Sequence, residues 1–243
     1  MIPASRPVDP DAANYHDTRT VNARPMEPDR RCRPQQPMFA MPEPASEPSS
    51  SHPDHPAARV TPRLLHAADP APIRIRRLRP TDPIPEITAL LHRAYAGQMA
   101  MGLRPLAGRQ DDQTTQRRCT SGECYLAVVE REGRDEAIVG TILFHEVESA
   151  EGPPWFRHPH VDSFSQFAVD PGMQGAGIGC LLLDRVESRA KESGATELAL
   201  SMAEPDEALR RFYERRGYRF IERWNWPYTN YTSVILSKPL HGR

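Results

Sequence analysis

Three glycines fall within five residues, Gly175, Gly177 and Gly179, after a short apolar run that ends in Val169-Asp170-Pro171. Residues without a Cβ let the chain curl until successive N–H groups point at one anion. A helix beginning near Ile178 adds its unsatisfied N-terminal donors and the positive end of its dipole at the same place. The chemistry suited to this spacing is the holding of a phosphate or pyrophosphate. Upstream, His145, Glu146, His158, His160 and Asp162 lie at strand ends or in the loop that leads into the apolar run. Each is a residue type that can serve as general base. His158 and His160 have no third ligand beside them, so no metal site is expected.

Spacing separates the families that place glycines after a strand. A Walker A loop ends in Gly-Lys-Ser/Thr, whereas Gly179 is followed by Cys180 and Leu181. A dinucleotide fingerprint reads G-x-G-x-x-G, and Cys180 stands where its third glycine belongs. What fits is Gln-x-x-Gly-x-Gly, with Gln174, Gly177 and Gly179. This resembles the pyrophosphate loop of the GNAT family of N-acetyltransferases, which use acyl-coenzyme A. A second run, Phe212-Tyr213-Glu214-Arg215-Arg216-Gly217-Tyr218, resembles the F-Y-E-x-x-G-F signature of the same family.

The resemblance spans residues 73–239 and implies an α/β fold, a mixed sheet with a central parallel pair. It implies acetyl-coenzyme A as co-substrate and no metal. The loop Met173, Gln174, Gly175, Ala176, Gly177, Ile178 and Gly179 would hold the pyrophosphate. The pantetheine arm would pair with the backbone of Phe167, Ala168 and Val169 as an added strand. An N–H near Phe167 or Ala168 would face the oxyanion that develops on the thioester. Tyr213 takes the place of the general acid that protonates the departing thiolate. Asp206 stands where relatives often carry Asn. The acceptor implied is a primary amine of a small molecule, attacking the thioester directly; the alternatives are a protein amine or a non-catalytic acyl-coenzyme A sensor. The first helices, the loop 97–109 and the last hairpin should line its pocket; Trp224, Trp226, Tyr228 and Tyr231 of that hairpin either face the acceptor or, as is commoner, pack on the sheet, and dimers are common among relatives.

Composition sets the frame for these residues. Of 26 prolines in 243 residues, 14 precede residue 71, in a segment with little apolar periodicity. Such a segment buries too little apolar surface to offset its conformational entropy, so residues 1–70 read as a disordered tail and 71–243 as one domain. A net charge of −1 gives no reason to expect nucleic acid or an anionic membrane as partner. No run approaches the length of a membrane span, and the N-terminus lacks the apolar core of a signal peptide. Cys32, Cys119, Cys124 and Cys180 form no C-x-x-C pair, so neither zinc nor a disulfide framework is indicated and a cytoplasmic setting is expected.

The elements that must position the loop follow from periodicity. Ile73 to Leu78 alternates as a strand, and Asp82 offers a cap for a helix over 84–96. Asp111 or Asp112 caps a second helix to Thr120, followed by strands over 124–130 and 137–146. The residues before Gly175 form a strand, with its key stretch over 165–169. A helix over 177–193 should bury Ile178, Leu181, Leu182, Val186 and Ala190, ending at Gly194. A strand over 196–202, a helix opened by Pro205 at its first position, and strands over 218–224 and 232–237 complete the order β α α β β β α β α β β.

Overall fold

A computed structural model describes residues 72–131, 134–147 and 150–240. The expected disordered tail lies outside the described residues. Among those described there are seven strands and four α-helices in the expected order. They are β1 (Ile73–Arg77), α1 (Ile84–Ala100), α2 (Asp112–Cys119), β2 (Glu123–Arg131), β3 (Arg134–His145), β4 (Val161–Val169), α3 (Ile178–Glu192), β5 (Glu197–Ala203), α4 (Glu207–Arg215), β6 (Arg219–Trp224) and β7 (Ser233–Pro239).

The strands form one sheet in the order β1-β2-β3-β4-β5-β7-β6. Every neighbouring pair is antiparallel except β4 and β5, which run parallel with α3 as the crossover between them. Side chains alternate across the sheet, so each strand feeds two cores. On one face Tyr125, Ala127, Ile142 and Phe144 meet Leu182, Leu183 and Val186 of α3, with Tyr213 of α4. On the other, Leu126, Val128 and Leu143 meet Ile87, Leu90 and Leu91 of α1, with Cys119 of α2.

Several boundaries differ from the sequence reading, each for a local reason. The first helix runs four residues further, to Ala100, because Gly97 continues the helix and Gly102 (φ +80°) is where it turns away. Asp82 does not cap it: its carboxylate turns back to Arg76, at 2.7 and 2.8 Å, and to the Arg79 N–H at 2.6 Å, leaving Pro83 at the N-cap. On α3 the buried leucines are Leu182 and Leu183, while Leu181 is 40% exposed. Pro205 lies before α4 rather than inside it, and Asp206 is the N-cap, accepting from the Leu209 N–H at 3.0 Å. Asp111 caps α2 as expected, accepting from Thr114 N–H at 2.7 Å.

Candidate active site

The feature on which the site depends is the early parting of the parallel strands. Pairing between β4 and β5 runs only from Val161↔Glu197 to Phe164↔Leu200, although both strands continue. Beyond that point β5 stays paired with β7 as far as Ala203, and β4 bends away. The bend coincides with a register shift against β3, where Thr141 faces Ala168 but Leu143 faces Ser165, and with a positive φ of 48° at Gln166. A bulge of this kind re-aims a strand. The edge of β4 from Ser165 to Val169 that would face β5 therefore has no strand partner. The cleft lies at the carboxyl ends of a parallel pair, where open α/β sheets place ligands.

At the mouth of this cleft the chain turns through Pro171–Met173 into the glycine loop. Asp170 stiffens the turn by accepting from Gly172 N–H at 3.0 Å and from Arg93 at 2.7 Å. Gly175 and Gly177 adopt φ of +86° and +80°, the left-handed region that side chains resist, and Gly177 is the N-cap of α3. Gly179 is explained differently: a Cβ there would come within 3.2 Å of the Phe167 ring, so its absence lets the helix start close against β4. Cys180 and Leu181 N–H turn to the Gly177 carbonyl. Among the described residues the amides of Gly175, Gly177, Ile178 and Gly179 donate to no carbonyl. Free amides at a helix start, beside an unpaired strand edge, fit a pyrophosphate with an extended arm.

Loop and cleft open into one cavity of about 880 Å³. Of the expected coenzyme-binding residues, Phe167, Ala168, Val169, Met173, Gln174, Gly175, Gly177, Ile178 and Gly179 line it, and Ala176 does not. Tyr213 also lines it, 3% exposed, packed edge-on or tilted against Phe164, Phe167, Phe212 and Tyr218 at centroid distances of 5.4–6.4 Å. Its hydroxyl bonds to no described residue. Burial, with Tyr95 and Asp206 nearby, pushes its proton affinity well above the usual phenol range, so the proton stays on at any physiological pH.

Of the five general-base candidates, the structure brings only His145 to the cavity. Its Nε2 lies 3.2 Å from Ser165 Oγ, on the unpaired stretch of β4. Asp162 is taken up by Ser193 Oγ at 2.5 Å and Val147 N–H at 3.1 Å, Glu146 pairs with Arg189, and His158 stacks on Trp155. His160 sits outside the cavity in a left-handed turn (φ 67°). Burial, aided by the charge of Arg118, lowers the His145 pKa to about 4. A histidine that resists protonation when folded stabilises the fold fully above its unfolded pKa, and this contribution is lost as pH falls from about 6.5 toward 4. Between pH 7 and pH 5 this residue alone is expected to remove about 2 kcal/mol of stability. Urea unfolding at both pH values, for wild type and His145→Gln, checks this through the difference in slope.

The far end of the cavity is roofed. The segment after α1 is tied to the β6–β7 connection by Asn230, whose side chain accepts from Arg104 N–H at 2.7 Å and donates to the Gly102 carbonyl at 2.9 Å. Arg109 reaches the Tyr228 carbonyl at 2.5 Å. Trp226, Tyr228 and Tyr231 line this end as the sequence suggested, with Trp226 Nε1 held by Ser201 Oγ at 2.9 Å. Trp224 instead packs against Phe156, Val161, Ala199 and Ile235.

Sequence reasoning passed over four side chains here. Tyr95, read only as part of a buried stripe, donates to the Phe167 carbonyl at 3.3 Å. Gln98 donates to Asp206 Oδ2 at 2.8 Å, tying α1 to the start of α4. Arg118 lines the cavity, and Gln166 sits at the bulge. Helical spacing marks Tyr95 and Gln98 as lying one turn apart, but nothing in it tells which face meets α4. Because Asp206 carries both the cap and the Gln98 contact, Asp206→Ala is expected to cost about 1–2 kcal/mol in chemical unfolding. Asp206→Asn, which keeps a capping oxygen, should cost less.

Comparison with known proteins agrees with this geometry. The chain matches the profile of the Acetyltransferase (GNAT) family over residues 89–218, more than half its length. No curated protein sequence gives a significant match. Among solved structures, the ribosomal-protein-S18-alanine N-acetyltransferase from Escherichia coli superposes with a TM-score of 0.51 at 16% identity, covering 70% of this chain and 96% of the other. PH1933 from Pyrococcus horikoshii OT3 gives 0.53 at 19% identity, with 69% and 98% covered. An acetyltransferase of the GNAT family from Staphylococcus aureus Mu50 gives 0.50 at 18% identity, with 70% and 100% covered. With the family match over residues 89–218 and the same fold in these structures, the chain belongs to the GNAT family of acetyltransferases.

Proposed function

We propose that the protein transfers an acetyl group from acetyl-coenzyme A to a primary amine of a small molecule, by direct attack of the amine on the thioester. The observation that carries this reading is the single cavity that joins the glycine loop, the unpaired edge of β4, Tyr213 and the roofed aromatic end. Acetyl-coenzyme A supplies the activated acyl carbonyl. The free amides of Gly175, Gly177, Ile178 and Gly179 hold its pyrophosphate, and the edge Phe167–Val169 aligns its arm. The closeness of these two elements, enforced by Gly179 against Phe167, fixes how far into the cleft the thioester reaches.

The amine must arrive neutral and then lose a proton as it bonds to carbon. Ser165 Oγ, bonded to the neutral imidazole of His145, can take that proton as it passes its own to Nε2, and the imidazolium, disfavoured by burial, then releases it to solvent. On the opposite side the Tyr213 hydroxyl keeps its own proton until a thiolate forms, and then gives it up to sulfur. The protein needs no nucleophile of its own in this scheme. The tie between Asn230 and residues 102–104 favours a small acceptor, since it closes the wall that an extended peptide would have to cross.

The test is thiol release from acetyl-coenzyme A against a panel of small amines and amine-bearing peptides. Turnover with small amines, matched mole for mole by N-acetylated product, supports the reading. Turnover with peptides alone would overturn the acceptor class, and coenzyme binding without turnover on any amine would make the protein a sensor.

A further inference from the structure

Arg118 stands in the last turn of α2, where a basic residue ordinarily complements the helix dipole in solvent. Here its side chain turns inward and lines the cavity. Among the described residues no carboxylate lies within ion-pair distance of it, in contrast to Arg76, Arg189 and Arg219, each of which meets an acid. Its Nη1 donates to Gln110 Oε1 at 2.6 Å, and its Nε and Nη2 donate to no described residue. Of the titratable groups around it, burial keeps Tyr95 and Tyr228 as phenols and His145 as neutral imidazole. The proton affinity of the Cys119 thiol is lowered by its hydrogen bonds to Cys124 and Gln166 and by the Arg118 charge itself, and burial lowers that of the guanidinium. A cation largely withdrawn from water with no carboxylate to pair with is costly, so its two-pronged edge calls for a carboxylate that arrives from outside.

The guanidinium is also held in place by a buried neutral network. Gln110 Nε2 donates to Thr115 Oγ1 at 2.8 Å and to Gln166 Oε1 at 2.9 Å. That fixes the amide with its oxygen toward Arg118. Thr115 in turn is held by Thr88 at 2.9 Å, and Gln166 lies at the bulge that opens the cleft. Gln110, Thr115 and Gln166 are each no more than 3% exposed. None can neutralise the charge; together they hold the guanidinium against the cavity with its Nε and Nη2 edge free. That edge is a two-pronged donor matched to a carboxylate. Met101, Leu106, Trp226, Tyr228 and Tyr231 line the same cavity and give it an apolar and aromatic wall.

We propose that the acceptor is an amine that also carries a carboxylate and an apolar or aromatic body, in the manner of an amino acid, and that Arg118 binds the carboxylate. This rests on the cavity being the acceptor site described above. It adds that specificity lies in a salt link made only on binding.

The experiment compares phenylalanine with 2-phenylethylamine, which lacks only the carboxylate, as acceptors for wild type, Arg118→Gln and Arg118→Lys. Wild type is expected to favour the carboxylate-bearing amine in kcat/KM by on the order of 100-fold. In Arg118→Gln this ratio should collapse toward one, and Arg118→Lys, a point charge without the fork, should restore only part of it. Affinity for acetyl-coenzyme A should change less than about two-fold in both variants, since the donor is held elsewhere. Calorimetric titration of N-acetylphenylalanine into the coenzyme A complex reads the site without turnover: saturable binding lost in Arg118→Gln supports the carboxylate site even if no amine is acetylated. Equal use of the two amines by wild type, or an equal loss on both in Arg118→Gln, overturns it.

Discussion

Gly177→Glu is expected to weaken binding of coenzyme A by on the order of 100-fold or more, and Gly177→Ala by far less. Two effects add in the glutamate variant. Gly177 has φ of +80°, so any side chain carries strain of about 1–2 kcal/mol. A Cβ at this position meets nothing within 4 Å, so the new carboxylate has room to stay and occupies the space in front of the helix start. There it competes for the amides and the dipole that would otherwise serve the pyrophosphate. Alanine brings only the strain. Calorimetric titration of coenzyme A into the three proteins separates the contributions. Equal loss in both variants would assign the effect to backbone strain and remove the anion cradle from the account.

Tyr213→Phe is expected to lower kcat by roughly 100-fold to 10,000-fold, the range over which a positioned acid contributes, while leaving the dissociation constant of acetyl-coenzyme A unchanged. The fold should hardly notice. The ring packs among Phe164, Phe167, Phe212 and Tyr218 on its carbon faces, which phenylalanine preserves, and the hydroxyl has no hydrogen bond to lose among the described residues. An unchanged melting temperature with a large fall in kcat identifies the hydroxyl as the acid. The raised proton affinity gives a second readout. Ionisation of Tyr213 lies above the ordinary phenol range, so it should impose no fall in rate as pH rises through 9. A variant with wild-type kcat would return Tyr213 to a packing role.

The glycine-loop positions were legible because they follow from a local rule, whereas Tyr213 was named only through the resemblance of the Phe212–Tyr218 run to a family signature. A left-handed φ calls for glycine, and a run of glycines before an amphipathic stretch marks a helix start, whatever the remote contacts. Strand and helix order was legible for the same reason, since period 2 and period 3.6 leave their marks in a dozen residues. Boundaries failed where a side-chain contact or the packing of an element outweighed the rule read from its own spacing. Asp82 was drawn from the helix start by Arg76, and on α3 it is Leu183 rather than Leu181 that the sheet covers, a choice between neighbours that spacing alone does not make. The acceptor end was the least legible. Arg118, Gln110 and Gln166 meet across α2, the loop before it and β4, and no spacing within one segment brings them together. His145 separates from the other candidate bases through the ladder register, which sets it opposite Ser163 and so brings Ser165, two residues on along the same face, to its ring.

The central claim is that the parting of β4 from β5 is the acyl-transfer cleft, reached by a donor anchored on the glycine loop. A crystal structure with acetyl-coenzyme A bound tests it most directly. The pyrophosphate oxygens should lie within hydrogen-bond distance of the Gly175, Gly177 and Gly179 amides, the arm should run along Phe167–Val169, and the sulfur should face the Tyr213 hydroxyl. A coenzyme bound elsewhere, or one whose sulfur points away from Tyr213 and out of the cleft, would contradict it.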